Sequence, residues 1–147
     1  MKNIFRTIFC LAVLALGGTT LSAQPQQPLK WTVNAEQTSP NVYKITATGT
    51  FNEAGWHIYD LADYGSQGPN PTVFTVEGAE IIEGPAIVSE VHRAYDDIFG
   101  MEIGTCPGPV KIAATVKVSG KKVAEVPVTV EWQCCNDGSC LPPTDWS

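Results

Sequence analysis

Apolar and polar residues alternate along two adjacent segments near the C-terminus of the chain. From Val110 to Val118 every second residue is apolar, and the pattern returns from Val126 to Trp132. A period of two places these apolar side chains on one face of an extended strand, because successive side chains of a strand point to opposite faces. The segment Ser119-Gly120-Lys121-Lys122 between them has the composition of a turn. The pattern therefore predicts two strands that pair as a β-hairpin.

Shorter runs of the same kind occur in the rest of the chain, and no segment has a sustained helical period. Strands are predicted at 41–51, 56–61 and 72–76, where β-branched and aromatic residues cluster. Many short strands within about 120 residues favour an all-β fold, and we predict an immunoglobulin-like antiparallel β-sandwich. Turn residues separate the strands at Ser39-Pro40, Gly68-Pro69-Asn70-Pro71, Gly84-Pro85 and Pro107-Gly108-Pro109.

Residues 1–23 have the three parts of a secretory signal peptide. Lys2 and Arg6 provide a positive start, the apolar stretch 8–16 is too short to span a bilayer, and Leu21-Ser22-Ala23 is a small-residue cleavage site. We therefore expect export to the periplasm or another exported location. Residues 24–147 are then expected to form a single domain.

The charge of this domain is acidic. Removing Lys2 and Arg6 lowers the 9 basic residues to 7, against 15 acidic ones, and changes the net charge from -6 to -8. This balance argues against nucleic acid and against anionic membranes as partners. No later segment is long and apolar enough to cross a membrane, so we expect the domain itself not to be membrane-spanning.

Four cysteines remain after residue 23, and three of them lie close together: Cys106, Cys134, Cys135 and Cys140. An even number in an oxidising compartment favours disulfides, and four cysteines allow three pairings. A bond between Cys135 and Cys140 would close a short loop and add little chain-entropy stabilisation. A small disulfide with little structural purpose is a candidate for redox work.

Strand parity assigns different environments to the two adjacent cysteines. If the strand from Val126 to Trp132 turns its apolar face to the core, Cys134 continues that inward face. Cys135 then points the other way, towards solvent or a neighbouring loop, and is left to pair with Cys140. A bridge between Cys134 and Cys135 is the least favoured pairing, because it needs a strained peptide.

Three motifs in this order resemble a known family. They are Gly55-Trp56-His57-Ile58-Tyr59, Asp96-Asp97-Ile98-Phe99-Gly100 and the run WQCCNDGSCLPP from Trp132 to Pro143. Together they make the chain from Phe51 to Pro143 similar to the N-terminal periplasmic domain of the thiol:disulfide interchange protein DsbD.

The resemblance implies an immunoglobulin-like domain that relays electrons by thiol–disulfide exchange. Its partners would be a membrane-embedded thiol reductant and thioredoxin-like exported proteins. If active, the chain would have a thiol:disulfide interchange activity of the protein-disulfide reductase type. The redox pair would be Cys135 and Cys140, with Cys140 meeting the partner and no cofactor beyond the disulfide itself.

The same resemblance implies the neighbours of the redox pair. His57 and Tyr59 would lie beside the disulfide, and the loop Asp96-Asp97-Ile98-Phe99-Gly100 would cap it, with Ile98 and Phe99 excluding oxidants. Gln133 belongs to the cysteine motif. Asp137, together with Asp145, would oppose thiolate formation, since a negative neighbour raises the pKa of a thiol.

The chain also departs from the family. Cys134 stands where the family usually has a small residue, and Cys106 has no counterpart. We expect these two cysteines to form a structural disulfide, with two reduced buried thiols or a second redox pair as the alternatives. No transmembrane electron conduit and no thioredoxin-like domain is recognised in the chain, so we expect the reducing partner to be another polypeptide.

Two other functions compete with thiol–disulfide exchange. One is a non-enzymatic immunoglobulin-like binding module whose disulfides are static. The other is a zinc or copper site formed by Cys134, Cys135, Cys140 and His57. The metal site is disfavoured, because the spacing of Cys135 and Cys140 is long for a zinc knuckle and adjacent strand cysteines point apart.

Overall fold

The computed structural model describes residues 27–120 and 125–147. The signal peptide predicted for residues 1–23 lies outside these residues. The described chain forms ten strands and one short 3-10 turn at Gly65–Gln67. The strands are β1 Leu29–Ser39, β2 Val42–Phe51, β3 Ile58–Tyr59, β4 Val73–Val76, β5 Ala79–Ile87, β6 His92–Asp96, β7 Met101–Cys106, β8 Val110–Val118, β9 Val128–Trp132 and β10 Thr144–Trp146.

The largest sheet has four antiparallel strands in the order β1-β2-β8-β5. β8 lies inside this sheet, and its alternating apolar residues include the fully buried Ile112 and Val116. Its polar partners, such as Lys111 and Lys117, are exposed. The alternation of β8 therefore turns one face of the sheet towards the core and the other towards solvent.

A second sheet, in the order β10-β9-β4, shares a hydrophobic core with the first. Val130 of β9 and Phe74 of β4 belong to the same buried cluster as Ile112. At one end of this core the rings of Trp31 and Trp132 meet edge to face, with centroids 5.8 Å apart. This is a favoured geometry for aromatic pairs and joins strands of the two sheets.

The prediction that β8 and β9 form a hairpin was wrong. β8 pairs with β2 and β5, whereas β9 pairs with β4 and β10 in the other sheet. Alternation identifies the buried face of each strand but carries no information on its hydrogen-bonded neighbour. Two successive strands that face one core from opposite sheets have the same pattern as a hairpin.

A third sheet has the order β3-β7-β6. In it β6 and β7 form an antiparallel hairpin whose turn is 97–100, and β3 pairs with the far edge of β7. This sheet carries the aromatic residues of β3 and the loop between β6 and β7, and so positions the site described below.

The prediction of an all-β fold is confirmed, and the sheets are antiparallel throughout the described residues. The immunoglobulin-like topology in particular stays a prediction. Within the described residues, no helix has the length and apolar character required to cross a membrane.

Candidate functional site

The site is built on an extension of the third sheet. His57, directly before β3, exchanges both backbone hydrogen bonds with Cys135, each with an N···O distance of 2.9 Å. Cys135 in turn lies opposite Cys140, and this second pair is flanked by bonds from Asn136 N to Ser139 O (2.9 Å) and from Leu141 N to Cys134 O (2.8 Å). Five extended segments therefore lie side by side, in the order β6, β7, β3, 134–136 and 139–141.

Cys135 and Cys140 form a disulfide across the last two segments, as expected from the sequence. The two cysteines differ in accessibility. Cys135 is 1% exposed, whereas Cys140 is exposed. A large reagent or partner that approaches from solvent therefore meets Cys140 before Cys135.

The pleat of this extended sheet separates the adjacent cysteines. Cys134 is fully buried in the main core, in the same cluster as Ile58 and Cys106. Cys135 packs in a separate small cluster with Tyr59 and Ile103 on the opposite face. The predicted parity of the two cysteines is confirmed, and Cys135 points into a neighbouring cluster rather than into solvent.

The prediction of a disulfide between Cys106 and Cys134 was wrong. Both are free thiols, and both are buried. The strand register explains this. Ile58 pairs with Cys106 on one side, and the pairing of His57 with Cys135 places Ile58 opposite Cys134 on the other. The two cysteines are thus two strands apart, about 10 Å between Cα atoms. That separation exceeds the limit of about 7 Å for a disulfide.

Burial also makes these two thiols poor nucleophiles. Desolvation raises the pKa of Cys106 to about 12 and that of Cys134 to about 11. Because the thiolate is the reactive form, both thiols are protonated and unreactive at neutral pH. The second redox pair considered from the sequence therefore has no support in this geometry.

A cavity opens beside the disulfide, and most of the predicted site residues converge on it. It is lined by His57, Tyr59, Asp96, Ile98, Phe99, Ile103, Thr105, Cys135, Asn136, Asp137, Gly138, Ser139 and Cys140. Asp97 does not line it. The lining residues that were not predicted are Ile103, Thr105, Asn136, Gly138 and Ser139. Thr105 reaches the cavity through its register position opposite Tyr59, which no sequence pattern indicates.

The loop between β6 and β7 covers one side of this cavity. Asp96 shapes it, since its Oδ1 accepts hydrogen bonds from the backbone N–H groups of Ile98 (2.8 Å) and Phe99 (3.0 Å). The turn closes with a bond from Gly100 N to Asp96 O of 2.8 Å, and Gly100 adopts a positive φ of 67° that glycine tolerates.

Phe99 and Ile98 differ in how they are held. The ring of Phe99 meets that of Tyr59 edge to face, with centroids 6.4 Å apart. Ile98 is 88% exposed at the tip of the loop. Phe99 therefore anchors the loop on β3, whereas most of the Ile98 side chain is presented to solvent.

His57 and Tyr59 form the other wall, on the same face of their strand. Their rings are 5.5 Å apart and nearly perpendicular. Burial lowers the pKa of His57 below its usual 6.5, and the charge of Asp137 opposes this shift. Burial, reinforced by the charge of Asp96, raises the pKa of Tyr59, so the phenol stays protonated at neutral pH.

The side chains of Gln133 and Asn136 both hydrogen-bond within or beside the cysteine hairpin. Asn136 lines the cavity and Gln133 does not. The amide of Gln133 donates to Leu141 O at 3.0 Å and accepts from Asn70 Nδ2 at 3.0 Å, outside the cavity. The side-chain oxygen of Asn136 accepts from Gly138 N and Ser139 N, both at 2.9 Å. These bonds hold the loop that separates the two cysteines.

An ion pair with a buried carboxylate lies next to the site and had no sequence signal. Asp60, which is 3% exposed, follows Tyr59 directly. Its Oδ1 accepts from Tyr64 Oη (2.6 Å) and Ala62 N (3.0 Å), and its Oδ2 contacts Arg93 Nη2 of β6 at 2.5 Å. The network ties the end of β3 to the strand that leads into the Asp96 loop.

Among residues 27–120 and 125–147, no group of three or more His, Cys, Asp or Glu side chains is placed to hold a metal ion. The disulfide engages two of the four ligands considered from the sequence, and Cys134 faces the opposite side of the sheet.

The fold and site define an all-β protein. The described residues contain one disulfide, whose Cys140 is exposed and whose Cys135 is buried, and it lies in a cavity between aromatic and acidic side chains. Comparison of the chain with protein-family models, curated proteins and solved structures finds no match in any of the three.

Proposed function

We propose that this protein is an exported thiol–disulfide exchange domain, similar in kind to the N-terminal domain of DsbD. The observation that carries the proposal is the asymmetric disulfide, with Cys140 exposed and Cys135 buried in the same cavity. Thiol–disulfide exchange requires one sulfur that a partner can reach and a second that acts from within the protein. A purely structural disulfide has no need of such a cavity.

In the reducing direction, a partner thiolate attacks Sγ of Cys140. The bond between Cys135 and Cys140 breaks, and Cys135 leaves as a thiolate that takes up a proton. The second partner thiolate then attacks the partner sulfur of the mixed disulfide and releases Cys140. Two electrons and two protons pass to this protein, and the partner becomes a disulfide.

In the donating direction, the thiolate of Cys140 attacks a disulfide of the next protein. Cys135 then attacks Sγ of Cys140, the intramolecular disulfide re-forms, and the second protein leaves with its cysteines reduced. The partners that fit this chemistry are a membrane-embedded or periplasmic thiol reductant on one side and thioredoxin-like exported proteins on the other.

The acidic side chains of the cavity bear on how the pair is activated. Asp96 and Asp137 both line the cavity. Negative neighbours disfavour a thiolate, so the reduced pair is expected to react slowly with small oxidants. The loop anchored by Phe99 adds steric protection until a partner displaces it.

A redox equilibrium with a thioredoxin-type protein tests the proposal. The disulfide is expected to exchange with such a protein and to have a potential above about -300 mV, the upper bound typical of inert structural disulfides. A bond that stays oxidised in the presence of a reduced thioredoxin-type protein would contradict the proposal.

A covalent trap gives an independent measurement. In Cys135→Ser, the remaining Cys140 is expected to hold an exported thioredoxin-like partner as a mixed disulfide. The matched control is Cys140→Ser, which leaves only the buried Cys135 of this pair and is expected to trap nothing.

The competing function is a binding module in which the disulfide is a static staple. The observation that favours it is the pair of backbone hydrogen bonds flanking the disulfide, which already hold the two segments together. A disulfide that resists thioredoxin-type reductants, combined with an empty trap, is the result expected for this module.

A further inference from the structure

His57 and Cys135 lie directly opposite one another on neighbouring extended segments. They exchange both backbone hydrogen bonds, His57 N to Cys135 O and Cys135 N to His57 O, each at 2.9 Å. A pair of this type has Cα atoms about 5.5 Å apart and its side chains on the same face. Both side chains line the cavity at the disulfide. The imidazole is therefore the cross-strand neighbour of the Cys135 sulfur.

The chemistry of the site gives Cys135 the harder task. A partner reaches the exposed Cys140, so Cys135 must close the disulfide from a position that is 1% exposed. Burial disfavours the thiolate that this step requires. The carboxylates of Asp96 and Asp137 line the same cavity and disfavour it further. Closing the disulfide near neutral pH therefore calls for a base next to Cys135.

Of the described residues that line the cavity, His57 is the one suited to this task. The other titratable groups are Tyr59 on β3, Asp96 at the end of β6, and Asp137 in the cysteine hairpin. Tyr59 stays protonated at neutral pH. The carboxylates of Asp96 and Asp137 are negative charges that disfavour the thiolate the step must form. Thr105, on β7 beside Tyr59, does not titrate.

The electrostatics of His57 agree with this geometry. Burial lowers its pKa below 6.5, so the imidazole is the free base at neutral pH. The charge of Asp137 acts in the opposite sense and favours the imidazolium that forms when a proton arrives. A general base is most effective when its pKa lies near the working pH, and the charge of Asp137 limits how far burial lowers the pKa of His57.

We propose that His57 is the general base that deprotonates Cys135 when the disulfide closes, an inference that rests on the exchange function proposed above. In the mixed disulfide between Cys140 and a partner, an imidazole nitrogen takes the proton of the Cys135 thiol. The Cys135 sulfur attacks Sγ of Cys140, and the bond from Cys140 to the partner breaks. The electron pair leaves on the partner sulfur, and the imidazolium returns its proton to that thiolate or to water.

The closing step can be timed with the aromatic disulfide dithionitrobenzoate in place of a protein partner. The reduced protein releases one thionitrobenzoate when Cys140 attacks the reagent. It releases a second when Cys135 attacks the mixed disulfide and re-forms the bond to Cys140. A Cys134→Ala background removes the adjacent thiol, and stopped-flow absorbance separates the two phases.

In His57→Gln the second phase is expected to slow at least about tenfold at neutral pH, while the first phase keeps its rate. The wild-type closing rate should level off above the pKa of His57. In the variant it should keep rising with pH as the Cys135 thiol ionises. His57→Ala supplies a second variant, in which added imidazole is expected to restore part of the rate. His92→Gln is the matched control, because His92 is exposed, contacts Glu90 at 2.7 Å and does not line the cavity.

A second phase with wild-type rate and pH profile in both His57 variants would overturn the role of His57 and leave the exchange function standing. A wild-type protein that closes its disulfide with this reagent but never exchanges with a thioredoxin-type protein would overturn the exchange function instead. A wild-type protein with no second phase would overturn both.

Discussion

Asp60 and Arg93 form an ion pair of 2.5 Å that joins the residue after Tyr59 to the strand that leads into the Asp96 loop. The carboxylate is almost fully buried, whereas the side chain of Arg93 is about half exposed. The pair therefore connects the end of β3 with β6, the two strands that flank β7 in the third sheet.

Replacing Asp60 with Asn should lower the free energy of unfolding by about 1–3 kcal/mol, the usual cost of leaving buried partners unsatisfied. In either orientation of the new amide its N–H₂ would face a donor, the guanidinium of Arg93 in one and Ala62 N–H in the other. Urea unfolding measures the change. Glu90→Gln, which removes the exposed contact with His92, is the matched control and should leave the stability unchanged.

Gly104→Ala should be destabilising by about 1–3 kcal/mol or more, as expected for overpacking a buried site. An added Cβ would collide with the Asp60 carboxylate and would lie 3.1 Å from Val91 Cγ1. The control is Gly138→Ala, because a Cβ there comes no closer than 3.7 Å to Asn136 Oδ1. Equal stability of the two variants would contradict the close contact between Gly104 and Asp60.

The four thiols of the reduced, folded protein should react with iodoacetamide in a definite order. Cys140 is exposed and should be alkylated first, and Cys135 should follow more slowly. Cys106 and Cys134 should stay unmodified until the protein unfolds, since burial raises their pKa values to about 12 and about 11. Peptide mass spectrometry gives the order, and early modification of Cys134 would contradict it.

Phe99→Ala should speed the reduction of the disulfide by dithiothreitol several-fold, because it removes the ring that anchors the loop on Tyr59. Ile98→Ala is the matched control on the same loop. Ile98 also lines the cavity, but its side chain is 88% exposed, so its removal should speed the reduction less than the loss of Phe99. Rates measured well below the unfolding temperature distinguish loop opening from a loss of stability.

His57 makes the stability depend on pH. Because its pKa is lowered in the folded protein, the unfolded chain binds a proton more readily. The free energy of unfolding should therefore fall as the pH drops below about 6.5 and stop falling from this source below the folded-state pKa. Urea unfolding of wild type and His57→Gln across this window measures the effect. The difference in the free energy of unfolding between wild type and His57→Gln should become independent of pH at higher pH.

Strand periodicity predicted the parts of the site that depend on local geometry. A period of two was enough to place Cys134 and Cys135 on opposite faces. The motif Asp96-Asp97-Ile98-Phe99-Gly100 does form a loop at the cavity, and His57 and Tyr59 do line it. The parity prediction needs only the direction of side chains along one segment. The loop and the positions of His57 and Tyr59 beside the disulfide were implied by the resemblance to the DsbD domain and not by periodicity.

Long-range pairing was beyond the sequence patterns. The partners of β8 and β9 could not be read from their alternation, and the row Cys106, Ile58, Cys134 depends on the register of three separate segments. Asp60 was missed because an aspartate is usually exposed, and its partner Arg93 lies 33 residues away. Five strands were not predicted: β1, β5, β6, β7 and β10. β6 is an example of a strand whose residues lack alternation and are mostly exposed.

The sheet between the core and the cavity also bears on how the protein is oxidised. Before His57 pairs with Cys135, the thiols of the adjacent residues Cys134 and Cys135 are not yet held on opposite faces of a sheet. Oxidation after this pairing yields one product, whereas earlier oxidation yields isomers that must be reshuffled by further exchange. The yield of the correct disulfide therefore depends on whether these strands pair faster than the cysteines are oxidised. If oxidation is faster, a disulfide isomerase would be needed to correct the product.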